Sequence, residues 1–262
     1  MNLEIYQVDA FTSKPFGGNQ AAVVPLTEWL PDELMLKIAA ENNLSETAFF
    51  VKEGEAYHIR WFTPTVEVNL CGHATLASSH VIFECLKGEN EFINFRSDKS
   101  GKLGVQKLDG KLVLDFPSYA VTKIEHIAEL SVAMGEVPAQ MWETQGNMVM
   151  LAYETEKDVL RLEPDMQALL GIPYDEVIAT APGADSDFVS RMFAPRIGIP
   201  EDPVTGAIHC SLIPYWAERL SKNKLFARQV SKRGGELHCE LAGDRVKIGG
   251  QATLFLKGEI YV

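Results

Sequence analysis

The segment NLCGHATLASSHVIFECL, residues 69–86, passes from a small polar turn into a run that is apolar on most sides. A helix apolar all round must be buried rather than laid on a surface, so this run predicts a central helix wrapped by sheet. A second segment, EDPVTGAIHCSLIPYWAERL (residues 201–220), repeats the order of turn and apolar run, with Pro214 expected to bend its helix. The turn-ending Gly72 and Gly206 lie 134 positions apart in a chain of 262 residues. That spacing is close to half the length and predicts an architectural repeat, in which strands, a polar turn, a buried helix and more strands occur twice.

Short runs of strand character surround both helices: Leu3 to Phe11, Ala48 to Val51, Tyr57 to Phe62, Leu103 to Leu108, Leu112 to Phe116, Val246 to Ile248 and Ala252 to Leu256. In KLDGKLVLDF, Asp109-Gly110 suits a two-residue turn, and Leu112, Leu114 and Phe116 then share one face. PDELMLKIAAENN (residues 31–43) reads as an amphipathic helix, and PDMQALLG (residues 164–171) as its shorter counterpart in the second half. The strand pattern breaks between Pro117 and Val132. The expected organisation is therefore an N-terminal lobe, 1–118, and a C-terminal lobe, 119–262, whose last strand is able to pair with the first lobe.

Composition narrows the function. At 46% hydrophobic and 23% charged, the chain can bury a large core, and a net charge of -12 opposes binding to nucleic acid. MNLEIYQVDAF has no basic segment leading into an apolar one, and the longest uncharged stretch, between Glu67 and Glu84, is short for a membrane span and contains Asn69, His73 and His80. These features predict a cytoplasmic protein that binds neither membrane nor nucleic acid. Cys71, Cys85, Cys210 and Cys239 lack C-x-x-C spacing and read as reduced thiols. His58, His73, His80, His126, His209 and His238 form no tight ligand motif, so no metal is expected; G-x-G-x-x-G and P-loop patterns are absent too, so neither is a nucleotide cofactor.

The two polar turns have a chemical use. A small turn opening a helix presents backbone N–H groups without intrahelical partners, and these attract a carboxylate. Equally, Thr205 or Asp202 can simply cap its helix. Near the turns stand groups able to handle protons: Glu46, Cys71, His73, Asp202 and His209. Gly17-Gly18-Asn19-Gln20 adds a close-approach backbone with two amide side chains. Glu46 directly precedes Thr47-Ala48-Phe49-Phe50-Val51, an apolar strand, and a carboxylate entering such a layer must be paired, neutralised or used. Its bland alternative is a surface bond to the turn at Asn43 and Ser45, as a satisfied core histidine is for His73.

Gly17-Gly18-Asn19-Gln20, Ser45-Glu46-Thr47-Ala48-Phe49, Cys71-Gly72-His73-Ala74-Thr75 and Glu201-Asp202-Pro203-Val204-Thr205-Gly206, in this order, resemble the phenazine-biosynthesis PhzF-like family, and the likeness runs along essentially the whole chain. The resemblance implies an α+β, diaminopimelate-epimerase-like fold: two pseudo-symmetric lobes, each a curled, mostly antiparallel sheet around a central helix. It implies a cofactor-independent isomerase or epimerase that moves a carbon-bound proton on a small carboxylate-bearing metabolite, and a homodimer. Glu46 matches the family's proton-shuttling glutamate, His73 and Asp202 its polar catalytic partners. Gly18, Asn19, Gln20, Gly72, Ala74, Thr205, Gly206 and Ala207 match positions that bind substrate. Related two-cysteine racemases carry one thiol at the position of Cys71 and a second near Thr205; the second is absent here. Ala207 stands where family members often have serine, which puts the substrate in doubt.

Two other functions fit less well. A cysteine hydrolase would need Cys71 and His73 in attack geometry, which residues two apart on a turn rarely reach. A catalytically silent small-molecule-binding or protein-interaction member of the same fold would be expected to lack Glu46, His73 or Asp202, and all three are present.

Overall fold

In a computed structural model, which describes residues 1–88 and 91–262, the chain forms two compact units, Met1–Phe116 with Lys247–Val262, and Pro117–Val246. Along the first run β1 (Asn2–Ala10), β2 (Asn19–Leu26), α1 (Asp32–Asn42), β3 (Glu46–Glu53), β4 (Ala56–Phe62), β5 (Glu67–Val68), α2 (Gly72–His80), β6 (Phe92–Ser97), β7 (Gly101–Leu108) and β8 (Lys111–Pro117). The second holds β9 (Thr122–Ile124), α3 (Ala128–Met134), β10 (Gln140–Thr144), β11 (Met148–Ala152), α4 (Glu156–Leu160), α5 (Met166–Leu170), β12 (Glu176–Pro182), β13 (Phe188–Ala194), β14 (Ile199–Asp202), α6 (His209–Leu220), β15 (Lys224–Gln229) and β16 (Gly235–Ala242). Along β17 (Arg245–Gly250) the chain passes back to the first unit, and it ends in β18 (Ala252–Tyr261). Lys247–Val262 groups with the first unit because β18 runs antiparallel to β1, Asn2 opposite Tyr261 and Ala10 opposite Ala252.

Strand pairing repeats between the units. The first has the order β18, β1, β2, β3, β4, β6, β7, β8; the second has β9, β10, β11, β12, β13, β15, β16. All of these neighbours are antiparallel except β2–β3 and β4–β6 in the first and β11–β12 and β13–β15 in the second. Short β5 and β14 extend antiparallel from β4 and β13. Parallel neighbours cannot be joined by a hairpin and need a crossover. Each crossover here carries helix: α1, then α2, in the first unit; α4 with α5, then α6, in the second. The two central helices are thus the chain's way of making β4–β6 and β13–β15 parallel.

Both central helices are buried, α6 as far as Ala217, and each resolves its polar groups locally. Every residue of α2 from Gly72 to Ser79 is buried, and the helix lies against β1, β2, β3 and β18. The hydroxyls of Thr75, Ser78 and Ser79 donate to the carbonyls of Cys71, Ala74 and Thr75, one turn earlier, at 2.6, 2.8 and 2.8 Å. Such back-bonding satisfies a buried hydroxyl without a distant partner. Beyond His80 the helix widens into a π turn, Val81–Cys85. In α6, Pro214 lacks the N–H that would bond to the carbonyl of Cys210. The backbone N–H of Tyr119 donates to that carbonyl instead, at 2.8 Å. Trp216 Nε1 donates to Thr180 Oγ1 at 2.9 Å, and its ring stacks on Phe188, which fixes α6 against β12 and β13.

The opposite sheet faces carry the smaller helices. Met35, Ile38 and Ala39 of α1 pack with Ala22, Val24, Leu26, Phe49 and Val51. Residues Leu130, Val159 and Leu169, from α3, α4 and α5, pack with Val149, Leu151, Val177 and Phe193. Full burial of one such side chain contributes about 1.5–3 kcal/mol. The Asp109-Gly110 turn forms as the sequence requires, with φ of 50° and 73°, Leu108 opposite Lys111, and Leu112, Leu114 and Phe116 buried. No helix among the described residues is long and apolar enough to cross a membrane.

Candidate active site

Alternation along the strands decides which polar side chains meet. In β2 and β3, Ala22 is in register with Thr47 and Val24 with Phe49, and these positions face α1. The intervening positions, Asn19, Ala21, Glu46 and Ala48, therefore face α2. Ala21 is paired with Glu46, so the carboxylate enters the sheet face that receives the first turn of α2. There His73, the second residue of the helix, meets it: His73 Nε2 lies 3.1 Å from Glu46 Oε2. Glu46 is only 9% exposed and His73 4%. The surface alternative for Glu46 is thereby removed.

Around this pair, Asn19 Nδ2 lies 3.2 Å from His73 Nδ1, and Cys71 Sγ lies 3.5 Å from the same nitrogen. An amide N–H donating to Nδ1 leaves the neutral ring's proton on Nε2. Burial works against a charge on His73, but the neighbouring Cys71 sulfur and Glu46 carboxylate outweigh it and raise the histidine well above its ordinary value. For Cys71, burial first and the charge of Glu46 second push the thiol up to about 11. At neutral pH that sulfur stays protonated, so the charge beside His73 is the carboxylate's.

The cap position of Cys71 and the helical position of His73 bring the two side chains together, closer than residues two apart on a turn usually come. What withholds a hydrolase role is the chemistry. A nucleophilic cysteine needs a lowered pKa, and this one is raised.

A second cluster lies in the other unit. Asp202 ends β14 and is buried; Thr205 Oγ1 donates to its carboxylate. Gln229, the buried last residue of β15, donates from Nε2 to the Asp202 carbonyl at 2.8 Å and to Thr205 Oγ1 at 3.1 Å. Its Oε1 accepts the Thr205 N–H at 2.8 Å. The EDPVTG turn does not lead straight into a helix. Gly206, Ala207 and Ile208 form a tightened turn whose carbonyls take the N–H groups of His209, Cys210 and Ser211, and α6 begins at His209. The Thr205 N–H is thus committed to Gln229 rather than open to an anion.

The structure brings Glu46, His73 and Asn19 together beside Gly72 and Ala74 at the start of α2, and Asp202 with Thr205 beside Gly206 and Ala207. Gln20 is on the opposite face of β2 from Asn19, with Ala22 and Val24. Gly18 holds a backbone turn at φ 62°. The residue that motif reading missed is Gln229. Its signal lay in the alternation of LFARQ, where a polar residue falls on the buried parity of Leu225 and Ala227.

Replacing Gln229 by leucine is expected to keep the volume but leave the Thr205 N–H without its acceptor. The expected cost is about 2 kcal/mol, read as a lower urea midpoint at unchanged slope. His209 supplies a pH test. Its Nδ1 is 2.8 Å from the Thr205 carbonyl, and complete burial lowers its pKa to about 4. An unfolded histidine protonates near pH ~6.5, so stability is intact above that value and falls as the pH drops toward about 4. The fall amounts to about 3 kcal/mol at most. His209→Asn, which can still donate to that carbonyl, should lose this part of the pH dependence in urea unfolding, whereas an unchanged profile would show that other groups carry it.

Residues 8–258 match the family model described as phenazine biosynthesis-like protein. An uncharacterized isomerase of Pseudomonas aeruginosa is 53% identical over 260 residues, covering 99% of each chain. A crystal structure of a PhzF-family phenazine biosynthesis protein from Enterococcus faecalis superposes with a TM-score of 0.97 at 46% identity, covering 100% of both chains. A hydroxyproline epimerase from Agrobacterium vitis, solved with trans-4-hydroxy-L-proline, has a TM-score of 0.65 at 12% identity over 99% of this chain and 92% of its own, a likeness of fold alone. The α+β, epimerase-like architecture is thus the one that the strand repeat builds.

Proposed function

The chain belongs to the phenazine biosynthesis-like family and is an isomerase, and on that premise we propose that Glu46 moves a carbon-bound proton on a small carboxylate-bearing metabolite. The observation that carries this reading is the carboxylate of Glu46, buried on the α2 face of β3 with His73 Nε2 at 3.1 Å. Proton transfer by a positioned group contributes roughly 10²–10⁴-fold. Glu46 takes the proton from a carbon activated by the substrate's own carboxylate and returns it after the electron pair has moved. His73 stabilises the charge that develops, and Asn19 orients its ring.

Roles for the remaining residues are part of the same proposal. Gly18 shapes the turn before Asn19; Gly72 and Ala74 contribute the backbone at the start of α2. Asp202, Gly206 and Ala207 hold the substrate's polar groups, and Thr205, matched by the resemblance to the same set, positions the Asp202 carboxylate. The reading includes no cofactor in turnover, a homodimer and a cytoplasmic location.

The test is deuterium uptake in heavy water, followed by mass spectrometry, with a panel of small unsaturated and amino carboxylic acids. Label entering a carbon position with the wild type and not with Glu46→Gln supports proton transfer at carbon and gives the substrate class. Binding of panel members without exchange in either protein would favour a silent binding protein.

A further inference from the structure

Glu46, Cys71 and His73 offer one oxygen, one sulfur and one nitrogen within 4.8 Å of one another, all three side chains buried. Cys71 Sγ is 4.0 Å from His73 Nε2, and that nitrogen is 3.1 Å from Glu46 Oε2. Tetrahedral zinc with bonds of about 2.3 Å to sulfur and about 2.0–2.2 Å to nitrogen and oxygen separates its donors by roughly 3.4–3.6 Å. The nitrogen and oxygen are already near that separation, and the sulfur, which now lies closer to Nδ1 at 3.5 Å, must turn about the Cys71 side-chain bond toward Nε2 for the three to share one cation. A second observation points to a missing partner: Glu46 Oε2 is buried without a hydrogen-bond donor aligned on it, although Nε2 is near. A buried carboxylate oxygen in that condition is costly, and a cation resolves it.

We propose that Cys71 Sγ, His73 Nε2 and Glu46 Oε2 form a binding site for a thiophilic divalent cation of the zinc class, with a fourth position open to water or to a substrate carboxylate. Thiolate, imidazole and carboxylate are the donor types that zinc takes, and three protein ligands with an open place is a recognised arrangement for it. On binding, the Cys71 thiol releases its proton to solvent as the sulfur–metal bond forms, and the His73 ring proton passes by way of solvent from Nε2 to Nδ1, which leaves the Nε2 lone pair to the metal; no electron is transferred. His73 Nδ1 then carries the ring proton and donates a hydrogen bond to the Asn19 amide, turned to present its oxygen, as the outer nitrogen of a metal-bound histidine commonly does. The ligands come from the start of β3, the cap of α2 and its first turn, so no local spacing in the sequence announces them.

One consequence rests on the acid–base reading given above: a cation held by Glu46 occupies the lone pair that would take the carbon proton, so metal and turnover exclude each other. The binding itself does not depend on that reading. Both parts can be examined with reduced full-length protein titrated with Co²⁺ in place of zinc. Expected for the wild type are the visible bands of tetrahedral Co²⁺ and a near-ultraviolet thiolate charge-transfer band that saturates near a single equivalent and is displaced by Zn²⁺. Cys71→Ser should abolish the charge-transfer band, Cys85→Ser should leave it intact, and Glu46→Gln should weaken Co²⁺ binding roughly tenfold or more.

Absence of the band in the wild type, its survival in Cys71→Ser, or unchanged affinity in Glu46→Gln overturns the site. If circular dichroism shows that Cys71→Ser does not fold, the Glu46→Gln affinity decides alone, because the amide keeps the shape. Failure here is separable from failure of the proposed function. Metal binding with undiminished deuterium exchange would leave the site standing and remove Glu46 as the base; exchange that requires Glu46, without metal binding, would remove only the cation.

Discussion

Glu46→Gln is expected to lower the rate of carbon-proton exchange by roughly 10²–10⁴-fold while changing substrate binding little. The amide has nearly the shape of the carboxylate and remains beside His73 Nε2, but it has no lone pair basic enough to take a proton from carbon. Its effect should therefore fall on kcat rather than on KM, since an interaction made in the transition state is lost and ground-state contacts remain. Single-turnover exchange in heavy water, with the substrate identified by the acid panel, separates the two. Exchange by Glu46→Gln at the wild-type rate would remove Glu46 from the chemistry. A rise in KM alone would make it a binding group.

Gly18→Ala is expected to destabilise the protein by about 4 kcal/mol. Gly18 sits at φ 62°, and a Cβ there would lie 2.0 Å from the carbonyl oxygen of Ala10 and 2.9 Å from Cγ2 of Thr12. The first of these is backbone at the end of β1, in the ladder that β1 makes with both β2 and β18, so it has little freedom to retreat. Backbone strain of about 1–3 kcal/mol for the left-handed conformation adds to an overlap worth about the same. Chemical unfolding followed by circular dichroism measures it. Because Asn19 follows directly, a folded fraction of this variant should also position His73 less well and exchange more slowly. A change below about 1 kcal/mol would mean that the turn opens without cost.

These two residues show how unevenly the sequence informs. Gly18, matched to a substrate-binding position by the resemblance, is also required by a turn and a carbonyl of β1. Glu46 was recognisable as anomalous, a carboxylate at the head of an apolar strand, and its partner was legible only as a nearby motif. Strand alternation and the parallel register Ala21 to Glu46 turn that suspicion into a contact, because they fix the face on which the carboxylate emerges. The same alternation separates Gln20 from Asn19, a distinction that the motif GGNQ does not contain. Gln229 was hidden because its partners, Asp202 and Thr205, precede it by more than twenty positions across the whole of α6.

What the sequence determined by itself was whatever depends on neighbours in the chain. Buried helices were readable from runs with no polar face, the β7–β8 hairpin from Asp109-Gly110, the repeat from two glycine-ended turns half a chain apart, and the family from four motifs in order. What only the tertiary structure decided was whatever depends on register and on side chains converging from separate segments. That covers the pairing of β18 with β1, the start of α6 at His209, the capture of the Cys210 carbonyl by Tyr119, and the meeting of Cys71 Sγ with the His73 ring. The physical reason is that local preferences fix dihedral angles over a few residues, whereas a site requires ångström-level placement of groups far apart in the chain, and that placement is set by sheet pairing and core packing acting together.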